Sequence, residues 1–202
     1  VKYIFITGPA RSGQTTIANK LNKHKGIYVY DEIPPCLPWD WDNHKRIDDL
    51  LEKVDKNLKR YDGHDIVGMA GLYYLKAIPA LTKIYKEIYF HILKRPFKDV
   101  LQGYLDKIDN GKNRHDISML SQKFFTHKDP TAENWEIPFP HYQKLEELND
   151  LENYKLAIEK YYNEYHDIAK QYENKYNNVK IWDSEYLIEN DNYLNLIQWQ
   201  KK

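Results

Sequence analysis

The segment that most constrains this chain is Gly8-Pro9-Ala10-Arg11-Ser12-Gly13-Gln14-Thr15-Thr16. A short β-branched and aromatic run, Tyr3 to Thr7, precedes it and reads as a buried strand. Ile17, Ala18 and Leu21 follow at helical spacing, which predicts a helix over 14–24. Strand, glycine-bounded loop and helix together make an anion cradle, because loop N–H groups and the unpaired N–H groups of a helix start point at one place. The spacing is that of a P-loop, G-x-x-x-x-G-K-[ST], with Gln14 where the lysine stands. The backbone nest, with Ser12 and Gly13 in it, survives that change. The Thr15 and Thr16 hydroxyls still donate to phosphate oxygens, and Arg11 offers a cation from inside the loop. The plain alternative is a glycine-rich turn that only joins strand to helix.

The rest of the 202 residues repeats the alternation. Further strands are expected at Ile27 to Tyr30, Asp65 to Gly68, Ile88 to Leu93 and Val179 to Trp182. Helices are expected from Ile47 through Leu58, over Leu72 to Tyr85 with Pro79 inside, over Phe97 to Ile108, from Leu151 to Tyr176, and at Tyr193 to Trp199. Strands alternating with helices imply an α/β fold of three layers, a central parallel sheet of about five strands with helices on both faces. The length fits a single domain over 1–202, with a polar insertion near 109–140 placed as a lid or substrate-side element.

Charge narrows the partners. Thirty basic residues balance thirty acidic ones, so bulk attraction to nucleic acid or an anionic membrane is not expected. The longest stretch without Asp, Glu, Lys or Arg runs from Ile66 to Leu75, far short of the roughly 20 residues of a membrane span. The opening residues are too short and wrongly flanked for a signal peptide, so a cytoplasmic location is the expectation. Cys36 is the single cysteine, and no His-x-x-x-His pair is present, so neither a disulfide nor a metal site is expected.

A second basic motif follows the fourth strand, Leu93-Lys94-Arg95-Pro96-Phe97-Lys98-Asp99-Val100-Leu101-Gln102-Gly103-Tyr104. It resembles the 3′-phosphate-binding segment of the sulfotransferase family, in which a strand-end Arg and a Pro precede Lys/Arg-Asp-Val and then Ser-Tyr. Arg95, Lys98, Asp99, Val100 and Tyr104 fall in register, and Gly103 occupies the position of the serine without its hydroxyl. Arg11-Ser12-Gly13-x-Thr15 is similar to the family's loop for the 5′-phosphosulfate, which works without the P-loop lysine. Gln14 departs from its usual Thr or Ser. The run Val179 to Leu187 resembles the final core strand and the acidic segment after it.

The resemblance implies a P-loop-type fold and transfer of a sulfuryl group from 3′-phosphoadenosine 5′-phosphosulfate (PAPS) to a hydroxyl or amine, without a metal. The acceptor would be a small molecule, a sugar or a peptide. It places Arg11, Ser12, Gly13, Gln14, Thr15 and Thr16 at the 5′ end of the cofactor, with Arg11 stabilising charge on the leaving oxygen, and Arg95 and Gly103 at the 3′-phosphate. It also draws attention to Asp31-Glu32 at the end of the second strand, where relatives carry a catalytic glutamate. Glu32 is the candidate base, and an exposed loop carboxylate is the alternative. Trp39 and Trp41 either line an acceptor pocket or anchor the proline-rich loop. The tyrosine stripe from Tyr154 to Tyr176 reads as helix packing. Two other functions share the first loop: a nucleoside or nucleotide kinase, with Lys112, Arg114 and His115 in a lid, and a non-catalytic nucleotide-binding relative.

Overall fold

The computed structural model describes residues 1–43, 45–61, 63–109, 140 and 151–199. All but the ends of the insertion expected near 109–140, including Lys112, Arg114 and His115, lies outside the described residues.

Five strands form one sheet: β1 (Lys2–Thr7), β2 (Ile27–Asp31), β3 (Ile66–Ala70), β4 (Ile88–Lys94) and β5 (Val179–Asp183). Their order is β2-β3-β1-β4-β5, and every pairing is parallel. β1 is therefore central, with Ile4 opposite Gly68 of β3 and Phe5 opposite Phe90 of β4. The chain leaves β1 for β2 by passing over β3, then returns from β3 to β4 across β1. That reversal makes the carboxyl end of β1 the crevice where ligands bind in such sheets.

The period of two along β1 sends its side chains to opposite faces. Ile4 and Ile6 pack with Ile17, Ala18 and Leu21 of α1 (Gln14–Leu21), and with Leu187 of a short helix after β5 and Leu196 of the last one. Phe5 faces the larger core, built from α2 (Ile47–Lys59), α3 (Ile78–Ile84), α4 (Phe97–Asp109) and α5 (Leu151–Lys175). The terminal helices are α6 (Ser184–Glu189) and α7 (Asn195–Gln198). The three-layer architecture thus agrees with the expectation from alternation.

Two helices differ from their predicted form, each for a local reason. The span expected to run from Leu72 to Tyr85 splits into a 3-10 turn, Leu72–Ala77, and then α3, with Pro79 in the first turn of α3. Proline lacks the N–H an unbroken α-helix would need there, and it is tolerated only at a helix start. The last helix is preceded by a separate 3-10 turn, Asn192–Leu194. The tyrosine stripe of α5 is packing, as read from its spacing: Tyr161 and Tyr165 are fully buried. The Tyr165 hydroxyl donates to the Leu72 carbonyl (3.1 Å) and lies 2.6 Å from Thr7 Oγ1, which ties α5 to the end of β1. Trp41 is buried and Trp39 packs on the edge of Tyr161, so both anchor the proline-rich loop on the core.

Candidate active site

The loop after β1 turns through two left-handed residues, Arg11 at φ 71° and Gly13 at φ 98°. Gly13 is the residue before α1, and no side chain caps the helix. Among the described residues, the N–H groups of Gln14, Thr15 and Thr16 find no carbonyl, and the first bond of the helix is Ile17 N–H to Gly13 O. These unpaired donors face the carboxyl end of β1, which is the physical basis of anion binding at a helix start.

Gln14 is buried, and its side chain points back into the loop. Nε2 donates to the Gly8 carbonyl (2.7 Å) and to the Pro9 carbonyl (3.1 Å). The side chain expected at the cofactor thus closes the loop from within, while its backbone N–H remains with the unpaired set. Ser12 Oγ is buried and has no hydrogen-bond partner among the described residues.

The second basic motif meets the first. Arg95, just past β4, donates from Nη1 to the Arg11 carbonyl (3.3 Å), joining segments 84 residues apart. Its own backbone carbonyl accepts from Tyr162 of α5 (2.8 Å), which holds the turn. Arg95 Nε also lies 3.8 Å from Glu185 Oε1, so the surface-pairing alternative coexists with the loop contact. A pair this exposed contributes little to stability.

Ser12, Gly13, Thr16 and Arg95 line a cavity of about 240 Å³ closed by Ser184, Glu185, Ile188 and Glu189 of α6. Ser12 and Ser184 both line this cavity, and among the described residues neither of their buried hydroxyls has a hydrogen-bond partner. The volume is below the roughly 300 Å³ of a small-ligand pocket, so the cavity has room for part of a nucleotide and not for the whole of one. A larger cavity, about 410 Å³, lies at the opposite, amino-terminal end of β5 against Lys180 and Trp199.

Glu32 stands just beyond β2, exposed, in the left-handed region at φ 47°. Its N–H donates to the Ala70 carbonyl (2.9 Å). It sits two strand spacings from β1, roughly 10 Å. Its charge adds to burial in holding the Tyr73 and Tyr74 hydroxyls well above their ordinary pKa. Of the three non-glycine residues with positive φ among those described, Arg11 and Glu32 are two. Such strain persists where surrounding contacts impose it, and it clusters at functional sites.

Two neighbours of the site escaped the sequence reading. Asp31 is half-buried beside the loop; burial raises its carboxyl above the usual range, against a hydrogen bond from Thr15 that lowers it. The acidic doublet was the signal, but nothing in it distinguishes which carboxylate turns toward the loop. Ser184 follows Asp183, whose carboxylate caps α6 by accepting from the Glu185 and Tyr186 N–H groups. A serine inside a capping sequence carries no signal of its own. No group of three or more His, Cys, Asp or Glu side chains is placed to hold a metal among the described residues. Nor is any described helix long and apolar enough to cross a membrane.

Comparison with known proteins agrees at the level of the fold. No family model matches the chain, and no curated protein sequence does. Among solved structures, a sulfotransferase from Alicyclobacillus acidocaldarius superposes with a TM-score of 0.54 at 15% identity, covering 100% of this chain and 84% of its own. The chain therefore shares the α/β fold of that protein.

Proposed function

We propose that this protein is a sulfotransferase that moves a sulfuryl group from PAPS to a hydroxyl or amine of a small molecule, sugar or peptide. The observation that carries the reading is the hydrogen bond from Arg95 to the Arg11 carbonyl. It brings a strand-end arginine and a phosphate loop to one cavity with two unsatisfied buried hydroxyls. Those groups fit a nucleotide with separate 5′ and 3′ anionic ends. The fold shared with a bacterial sulfotransferase adds to this.

The donor supplies an activated sulfuryl group, whose bond to the 5′-phosphate oxygen breaks as the acceptor oxygen or nitrogen bonds to sulfur. The N–H groups at the start of α1 and the Thr16 hydroxyl neutralise charge at the 5′ end, where it grows on the leaving oxygen, while the Thr15 hydroxyl is held by Asp31. Arg95 holds the 3′-phosphate, and its bond to the Arg11 carbonyl keeps the loop against it. Glu32, at the carboxyl edge of the sheet, accepts the proton of the acceptor. Gln14 argues for this reading over a kinase, because its amide is engaged with loop carbonyls where a kinase would present a lysine to the transferring phosphate.

Calorimetry with adenosine 3′,5′-bisphosphate, the product nucleotide, tests the reading, with ATP and Mg²⁺ as the paired ligand. Metal-independent binding of the bisphosphate at micromolar strength is expected, weakened roughly tenfold or more by Arg95→Ala with an unchanged melting temperature. A preference for ATP with Mg²⁺ would move the assignment to a kinase. An unchanged dissociation constant in the variant would remove Arg95 from the site.

A further inference from the structure

Gly103 of α4 and Arg11 of the loop are packed against each other. A Cβ placed on Gly103 would stand 3.2 Å from Arg11 Nε, 3.3 Å from its Cβ and 3.4 Å from its Cγ. Any side chain at 103 would thus crowd the Arg11 stem along its length. The guanidinium could swing away, but the Arg11 Cβ is fixed by a loop backbone held at φ 71°. The bare helix backbone at 103 is therefore the seat on which Arg11 lies.

The same Arg11 receives Arg95 Nη1 on its carbonyl. One arginine comes from the loop and the other from the end of β4, and both are anchored at a single corner of the crevice. Their charges are not equally compensated. Arg95 faces Glu185, whereas no carboxylate pairs with Arg11 among the described residues. A phosphate monoester, with about two negative charges and three terminal oxygens, can accept from two guanidinium groups at once.

We infer that Arg11, seated on Gly103, takes the place of the serine that the sulfotransferase pattern carries at this position, so that two arginines hold the 3′-phosphate of the bound nucleotide. The inference rests on the proposed function and sharpens it. Gly103 is then part of the ligand site by having no side chain, and restoring the family serine damages the site.

The test is calorimetric titration of wild type, Gly103→Ser and Gly103→Ala with adenosine 3′,5′-bisphosphate and with 5′-AMP, which lacks the 3′-phosphate. Gly103→Ser is expected to weaken the bisphosphate roughly tenfold and to leave 5′-AMP within about twofold, with the alanine variant between. Serine and alanine both favour a helix interior over glycine, so the fold should hold, as circular dichroism will show. Should the serine variant fail to fold, Arg11→Gln in the native background gives the same reading and is expected to abolish the preference for the bisphosphate. Unchanged or tighter bisphosphate binding in Gly103→Ser would overturn the inference while leaving the proposed function intact. Equal weakening of both ligands would overturn it by placing Arg11 at the 5′ end. A wild-type protein that binds the bisphosphate no better than 5′-AMP would overturn the reading of the whole site.

Discussion

Gln14 shows how a loop with P-loop spacing can keep its shape without the customary lysine. Its amide satisfies two carbonyls, Gly8 and Pro9, that converge inside the loop. A lysine ammonium reaching outward to a ligand would leave them without these donors. Glutamine thus braces the loop from within, and in the proposed function the cationic work falls to Arg11 and Arg95. Gln14→Glu is nearly isosteric but turns a donor into a third acceptor. It should destabilise the protein by about 2 kcal/mol or more, read as a shift of the urea midpoint. A loss below about 0.5 kcal/mol would show that the brace contributes nothing. Neither the brace nor the Gly103 seat is visible in the local sequence. A glutamine at this position reads as a ligand contact, and a glycine in place of serine reads as a loss, until the side chains across from them are known.

On each edge of the sheet a side chain takes up some of the unpaired strand groups. On β2 the Asn22 amide imitates a neighbouring strand: Oδ1 accepts from the Val29 N–H (2.6 Å), and Nδ2 donates to the Val29 carbonyl (2.8 Å). On β5 the Glu173 carboxylate accepts from the Ile181 N–H (2.7 Å). Unpaired edge groups template association with other chains, and each of these contacts withdraws some of them. Asn22→Ala should cost about 1–3 kcal/mol, because both Val29 groups lose their partner. Glu173→Ala should cost less and should raise the self-association seen by light scattering on storage. A double variant that self-associates no more than the wild type would remove the edge-closing role. The elements themselves were largely legible. Most strand and helix positions follow from apolar periodicity, with ends shifted by up to three residues, as where α1 stops at Leu21, but α6 after β5 was not anticipated. The break at Pro79 was marked by the proline, yet its outcome, a 3-10 turn and then a helix, depended on docking against β1 and α5.

Across the whole molecule, the sheet buries a titratable group that the site does not use. His91 of β4 is fully buried, and its Nδ1 accepts from the Trp182 indole N–H (3.1 Å). Burial, and then the charges of Lys2 and Lys180, push its pKa down to about 3. Burial and Lys94 likewise lower His166 of α5 to about 4. Each group binds a proton in the unfolded chain near pH 6.5 that it refuses when folded. Stability therefore falls as the pH drops from about 6.5 toward these values, by up to about 1.4 kcal/mol per pH unit for each group. His91→Gln keeps an acceptor for the indole and cannot titrate. It should flatten the slope of unfolding free energy between pH 6 and 4 by up to one proton, measured by urea denaturation. An unchanged slope would show that His91 does not titrate on unfolding.

By itself the sequence determined the alternation of strand and helix, and hence the α/β class. It also placed the glycine-bounded loop and the second basic motif at strand ends, because hydrophobic period, β-branched runs and glycine spacing are local properties. Only the tertiary structure decided the order β2-β3-β1-β4-β5, and with it which strand ends are neighbours. That order sets Arg95 against Arg11 across 84 residues, lays Arg11 on Gly103 and brings Ser184 to the loop. Such contacts depend on where distant segments close together in space, and no periodicity within a segment records it.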